Sequence, residues 1–283
     1  MKINELNLFQ RGHYDCVATD CKELNECLCG GLRTGDLIVF EAASGCGKTT
    51  TLQRLAINSA EQSKKCMFIS GGEQPAEEIV ERMACMMCGY DYSEFIKEYK
   101  DDQVENAKSK LEIIMDYVDI EYSEDPFANY KIEDNKPYTY DMEQFILKAV
   151  NEGIQFIFFD YIGSSLPELA ESTYAYYTHM ATILKSWATK YHLCIVTAIQ
   201  MNRAFKEAIK NDKKYHNFDP NLVDETFMAD SIGPARKASV CIAYFEHNGQ
   251  RYLNVFKNRL NGKCKLIPVK VDETNHTYSW SEF

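Results

Sequence analysis

The stretch AASGCGKTT, residues 42–50, decides how the chain is read. It follows a strand-like run, GDLIVF (35–40), and opens a helix-like one, TLQRLAI (51–57). A glycine-rich turn between a strand and a helix presents several backbone N–H groups and the positive end of the helix dipole to one point, which suits phosphate. In this reading Ser44, Gly45, Cys46 and Gly47 form the cradle, Lys48 meets the outer phosphates, Thr49 supplies a hydroxyl for Mg²⁺, and Thr50 continues the helix start. The strict pattern has glycine where this chain has Ala42, so the strand and helix on either side carry the assignment. A nucleotide with Mg²⁺ is the expected ligand.

Working outward, short β-rich apolar runs alternate with amphipathic stretches. Strands are expected at LIVFEA (37–42), CMFIS (66–70), YVDIE (117–121), IQFIFF (154–159) and LCIVTA (193–198), and helices at about 48–62, 76–88, 139–152 and 174–190. In the last helix Tyr177, Met180, Ala181, Leu184, Trp187 and Ala188 keep the spacing of a core-facing stripe. Such alternation predicts an α/β domain around a mainly parallel sheet. Beyond residue 237 the character changes to ASVCIAYF (238–245), RYLNVFK (251–257) and KLIPVKV (265–271), with HNGQ (247–250) as a turn, which predicts an antiparallel extension of the sheet. Residues 123–138, with Pro126, Pro137 and several acids, read as surface loop, and 91–112 as a charged helical stretch.

Three further positions extend the chemistry of the phosphate loop. FIFFD (156–160) is a buried strand that ends in Asp160, where a carboxylate can share a metal ion with Thr49. Glu73 follows a strand through Gly71 and Gly72 and reads either as a general base or as an acid that favours a helix N-terminus. Gln200 ends its strand and reads either as a sensor of the terminal phosphate or as a plain polar strand end. Lys257 and Arg259, in VFKNRLNGK (255–263), are spaced two apart, as for one face of a strand.

Composition sets bounds. The 283 residues are 45% hydrophobic, enough for one large core, and the net charge of −11 excludes a surface that is basic all over. Any nucleic-acid site must then be local. No apolar run approaches membrane-spanning length and no secretory signal opens the chain, so a cytoplasmic protein is expected. The 11 cysteines, scattered through apolar stretches, fit reduced core thiols better than a disulfide framework; the group His13, Cys16, Cys21, Cys27 and Cys29 has spacing too irregular for a zinc site.

Taken together the motifs resemble the ATPase domain of DnaB-type replicative helicases and the related phage primase-helicases. TDCKELN (19–25) and CGGLRTGDL (29–37) resemble the entry to that domain, AASGCGKT its phosphate loop, and SGGEQPAE (70–77) its second-strand motif with a catalytic glutamate. IFFDY (157–161) is similar to its metal-site strand, AIQMNR (198–203) to its sensor, MADSIG (228–233) to the segment after its DNA loop, and FKNRLNG (256–262) to its trans-acting basic finger. The resemblance implies a RecA-like core in residues 19–283 behind a short arm, 1–18. It also implies a homo-hexameric ring, ATP between adjacent subunits and single-stranded DNA in the channel. Lys257 and Arg259 would then meet the γ-phosphate of a neighbouring subunit. Replicative helicases of this type usually carry an N-terminal collar or primase domain; here a separate primase, loader or collar protein is the expected partner.

One segment supports a DNA site independently. Between Arg203 and Lys214, the basic residues Arg203, Lys206, Lys210, Lys213 and Lys214 face only Glu207 and Asp212, which predicts a polar cationic loop, with Arg236 and Lys237 as further candidates. The expected function is an ATP-dependent DNA helicase or translocase. A RecA-like recombination or annealing ATPase and a nucleotide-dependent regulatory hexamer remain as alternatives.

Overall fold

The computed structural model describes residues 14–43, 45–72, 74–124, 130–133, 136–160, 162, 172–215, 218–227 and 233–272. The chain opens with β1 (Cys16–Val17), α1 (Lys22–Cys27) and β2 (Leu32–Arg33), then enters the main sheet with β3 (Leu37–Ala42), α2 (Lys48–Glu61) and β4 (Cys66–Gly71). Next come α3 (Ala76–Cys88), α4 (Tyr92–Phe95), α5 (Asp101–Ile114), β5 (Val118–Ser123), β6 (Tyr130–Glu133), β7 (Lys136–Thr139) and α6 (Tyr140–Asn151). The rest comprises β8 (Phe156–Asp160), α7 (Thr173–Lys190), β9 (Cys194–Gln200), α8 (Arg203–Tyr215), α9 (Gly233–Lys237), β10 (Val240–His247), β11 (Gln250–Asn258) and β12 (Lys265–Val269).

Eight strands form one sheet in the order β12-β11-β10-β3-β9-β8-β4-β5. From β10 to β5 every neighbouring pair is parallel, and β10, β11 and β12 pair antiparallel, as the sequence pattern predicts. Period-two alternation divides each central strand between two cores. Ile38, Phe40, Phe68, Phe156, Phe158 and Val196 pack with Leu52 and Leu55 of α2 and Ile79 and Met83 of α3. Val39, Ile69, Ile157, Phe159 and Ile195 pack with Met142 and Ile146 of α6 and Met180 and Leu184 of α7. Strands buried on both faces read as continuous apolar runs, which is why FIFFD and LIVFEA stand out in the sequence.

Two local expectations change. The stretch read as surface loop contains a small antiparallel pair, β6 with β7, in which Ile132 faces Pro137 across the ladder. The cationic segment is a helix, α8, and not a loop. Its inward side is apolar, with Phe205 buried beside Met201, Val223 and Phe245 and with Ile209 packed on them, so the stretch read as loop is a helix docked by an apolar face. Among the described residues no helix is long and apolar enough to cross a membrane.

Candidate functional site

In a parallel sheet the carboxyl ends of the strands lie along one edge, and ligands bind where neighbouring strands lead to opposite sides. Here that edge gathers the phosphate loop after β3, Gly71 at the end of β4, Asp160 at the end of β8 and Gln200 at the end of β9. The registers fix their heights: Ala42 lies level with Gln200, and Ser70 with Asp160. Met201 then donates its backbone N–H to the Ala42 carbonyl at 2.9 Å, locking the end of β9 to the end of β3.

Two glycines set the turn between β3 and α2. Gly45 and Gly47 adopt φ of +79° and +87°, which L side chains rarely tolerate, and Gly47 caps α2. A Cβ placed on Gly45 would meet nothing within 4 Å, so the loop faces open space. Lys48, Thr49 and Thr50 are half-buried in the first turn of α2, where N–H groups have no intrahelical partner. Cys46 packs against the core, and burial pushes its thiol up, opposed by Lys48. Ser44, Glu73 and residues 228–232 of the MADSIG motif lie outside the described residues.

Thr49 and Asp160 meet directly. The Thr49 hydroxyl Oγ1 donates to Asp160 Oδ2 at 2.6 Å, across 111 residues of chain, and Asp160 is buried at the tip of β8. A hydroxyl and a buried carboxylate side by side are hard oxygen donors of the kind Mg²⁺ prefers, so this pair fits the ion and the loop beside it fits a polyphosphate. Among the described residues no cluster of three or more histidine, cysteine or carboxylate side chains could hold a metal on its own. This is consistent with an ion whose remaining ligands come from phosphate and water.

Lys257 and Arg259 sit at the other edge of the sheet. Arg259 donates its backbone N–H to Ser239, and Ser239 donates to Leu37 at the start of β3, each at 2.8 Å. The five residues from there to Ala42 span about 16 Å at roughly 3.3 Å per residue, so the pair cannot touch the phosphate loop of its own chain. Both reach the end of α9 instead. Lys257 Nζ donates to the carbonyls of Ala235 and, at 2.9 Å, Ala238; Arg259 Nη2 donates to the Arg236 carbonyl at 2.7 Å and stays exposed. Burial, with Arg259 beside it, pushes the Lys257 ammonium down. Arg236 is exposed and Lys237 half-buried at this same corner, whereas Arg203 is exposed where α8 leaves the opposite edge. Lys206, Lys210, Lys213 and Lys214 belong to α8, but their side chains lie outside the described residues.

Three features had no place in the sequence reading. Asn202 accepts from Phe205 N–H at 3.2 Å, capping α8, and donates to the carbonyl of Thr226 at 2.7 Å, so the residue two past Gln200 ties the end of β9 to the segment after α8. Asp212, buried on α8, lies 2.7 Å from His247 Nε2 on β10. Glu41, the penultimate residue of β3, is fully buried with neither carboxyl oxygen hydrogen-bonded among the described residues; burial, then Asp224 and Glu225, hold its pKa well above the ordinary carboxylate value. Its signal was a lone acid on the alternating inward pattern of a two-sided strand.

Comparison with known proteins agrees with this geometry. A region of the DNA repair protein RadA of Campylobacter jejuni is 40% identical over 65 residues, which is 23% of this chain and 15% of RadA. The replicative DNA helicase DnaB of Haemophilus influenzae is 26% identical over 193 residues, 67% of this chain and 39% of that protein. The chain thus spans well under half the length of either relative. Among solved structures, an isolated ATPase domain superposes with a TM-score of 0.76 at 13% identity, covering 99% of this chain and 96% of that one. A DnaB-like replicative helicase, solved in a study of its interactions with primase, gives 0.73 at 12% identity, covering 98% and 64%. These structural likenesses show the RecA-like fold, and the profile of the DnaB-like helicase C-terminal domain matches residues 16–219. With that match across most of its length, the chain belongs to the family of DnaB-like helicase C-terminal domains.

Proposed function

We propose that this protein is the ATP-hydrolysing motor of a DNA helicase or translocase. It works in the cytoplasm as a homo-hexameric ring that moves on single-stranded DNA. The observation that carries the reading is the Thr49–Asp160 pair at the carboxyl edge of the sheet, beside a glycine turn of the right conformation. Thr49 and Asp160 would hold Mg²⁺, which neutralises phosphate charge when bound; Lys48 and the N–H groups of Gly45, Cys46, Gly47, Lys48 and Thr49 would hold the phosphates of ATP, and Ser44 and Thr50 would complete the cradle. Glu73 would take a proton from the attacking water, and Gln200 would report the terminal phosphate to α8 through Met201 and Asn202.

The separation of Lys257 and Arg259 from their own phosphate loop supports a site completed by a neighbouring subunit. That is the arrangement of a head-to-tail ring or filament. DNA would lie along α8, held by Arg203, Lys206, Lys210, Lys213 and Lys214; Arg236 and Lys237, at the finger corner, would join only if the ring brings that corner to the strand. A collar, loader or primase would be supplied by another protein.

The 40% identity over 65 residues with a DNA repair protein favours one second reading, a recombination-type ATPase that forms filaments. ATP hydrolysis measured with and without single-stranded DNA tests the motor. The expected result is stimulation that is lost in the triple variant Lys206→Ala/Lys213→Ala/Lys214→Ala; hydrolysis indifferent to DNA at every salt concentration contradicts both readings. Electron microscopy with DNA and ATP separates them, closed rings favouring the helicase and helical filaments the recombinase.

A further inference from the structure

Gln53 stands one turn beyond Thr49 on α2, so the two share a helix face, the one turned to the sheet. Thr49 meets Asp160 there, and Gln53, with no exposure, reaches the loop that follows β4. Gln53 Nε2 donates to Gln74 Oε1 at 3.3 Å, and Gln74 Nε2 donates to Glu78 Oε1 at 3.1 Å, an oxygen that also accepts from Arg82 Nε at 2.9 Å. The Gln74 backbone carbonyl accepts from Ser70 Oγ at 2.8 Å, and Ser70 lies level with Asp160.

Burying an amide is costly unless its hydrogen bonds are made, and a leucine would fill the same place on α2 without that cost. Gln53 keeps the amide even though its Oε1 has no partner among the described residues. The other flank of position 73 is equally fixed. Gly72 has φ of +83°, and a Cβ there would come within 2.4 Å of the Glu124 carbonyl oxygen. Gly72 thus has no room for a side chain beside the backbone after β5, and Gln74 is hydrogen-bonded to the helix of the phosphate loop.

We propose that Gln53 and Gln74 are a positioning pair that couples the seating of the phosphate loop on α2 to the loop after β4, the loop whose sequence carries Glu73. Neither residue is assigned contact with the reacting atoms; each acts through the backbone of the loop after β4. The inference rests on the reading of Glu73 as the group that activates water, and it adds how that group is placed.

Single-turnover ATP hydrolysis tests it, with Gln53→Leu, Gln74→Leu, the double variant and Glu73→Gln measured beside affinity for a fluorescent, non-hydrolysable ATP analogue. Each single glutamine variant is expected to hydrolyse about tenfold more slowly while its nucleotide affinity stays within about twofold, because only the reacting geometry is disturbed. The double variant is expected to be no slower than the worse single, as for two ends of one link. Unchanged rates, losses that multiply in the double variant, or affinity that falls in step with rate overturn the proposal. If Glu73→Gln is inactive while the glutamine variants are normal, this inference alone fails. If Glu73→Gln hydrolyses normally, the assignment of the base fails and takes the inference with it. Gln74 is half-buried, so Gln74→Leu decides the matter if Gln53→Leu does not fold.

Discussion

The hydroxyl of Thr49 donates to the carboxylate of Asp160 at 2.6 Å, joining the first turn of α2 to the end of β8, with β9 lying between β8 and β3 in the sheet. This one contact sets the metal position proposed above. Asp160→Asn is expected to lower ATP hydrolysis by about 100-fold or more, a size typical of losing one preorganised charge-stabilising group. Thr49→Ser keeps the hydroxyl and is expected to retain activity, while Thr49→Val is not. Hydrolysis assays across a Mg²⁺ titration check this, and an Asp160→Asn protein with wild-type rates at ordinary Mg²⁺ contradicts it.

Glu41 gives a prediction about stability. Its carboxyl is fully buried, and its folded pKa lies well above 4.5, the value for an unburied glutamate. Between those two values the unfolded chain has released the proton and the folded chain keeps it, so folding takes up a proton and stability falls as pH rises above about 4.5. Glutamine at this position carries no such penalty. Glu41→Gln is expected to raise Tm near pH 7, with the gain shrinking as pH falls toward 4.5. Thermal unfolding across that range decides the point, and a gain that grows at low pH has the wrong sign for the account.

Arg259 tests assembly. Alone, Arg259→Ala and Lys48→Ala are each expected to hydrolyse little ATP. Mixed one to one, a ring with a head-to-tail interface should place an intact loop against an intact finger at roughly a quarter of its interfaces, restoring that share of activity. No recovery after exchange of subunits, with Arg259→Ala active alone, is the outcome that removes the trans finger.

Much of the fold was legible because strands buried on both faces and helices with one apolar stripe leave different periods in the sequence. The strand at 37–42 and the helix at 76–88 have the bounds expected. The cationic helix was missed because its five basic residues outweighed the wider-spaced pattern of Phe205, Ile209 and the buried Asp212, whose partner His247 lies 35 residues away. Strand order is a long-range property, and periodicity does not carry it. For the same reason the spacing of Lys257 and Arg259 predicted a shared direction, but the register was needed to show that they stand at the opposite edge of the sheet from Lys48. Gln53 was visible only as a polar residue four positions after Thr49; its meaning depends on Gln74, which belongs to another element.

The central claim is that hydrolysis drives movement along DNA. Strand displacement on a forked duplex with single-stranded arms, followed by release of a fluorescent strand in ATP and Mg²⁺, tests it most directly. The account predicts ATP-dependent displacement that vanishes in Lys48→Ala and in the triple lysine variant of α8. Brisk DNA-stimulated hydrolysis by a ring that displaces no strand, with either arm of the fork presented, would contradict it.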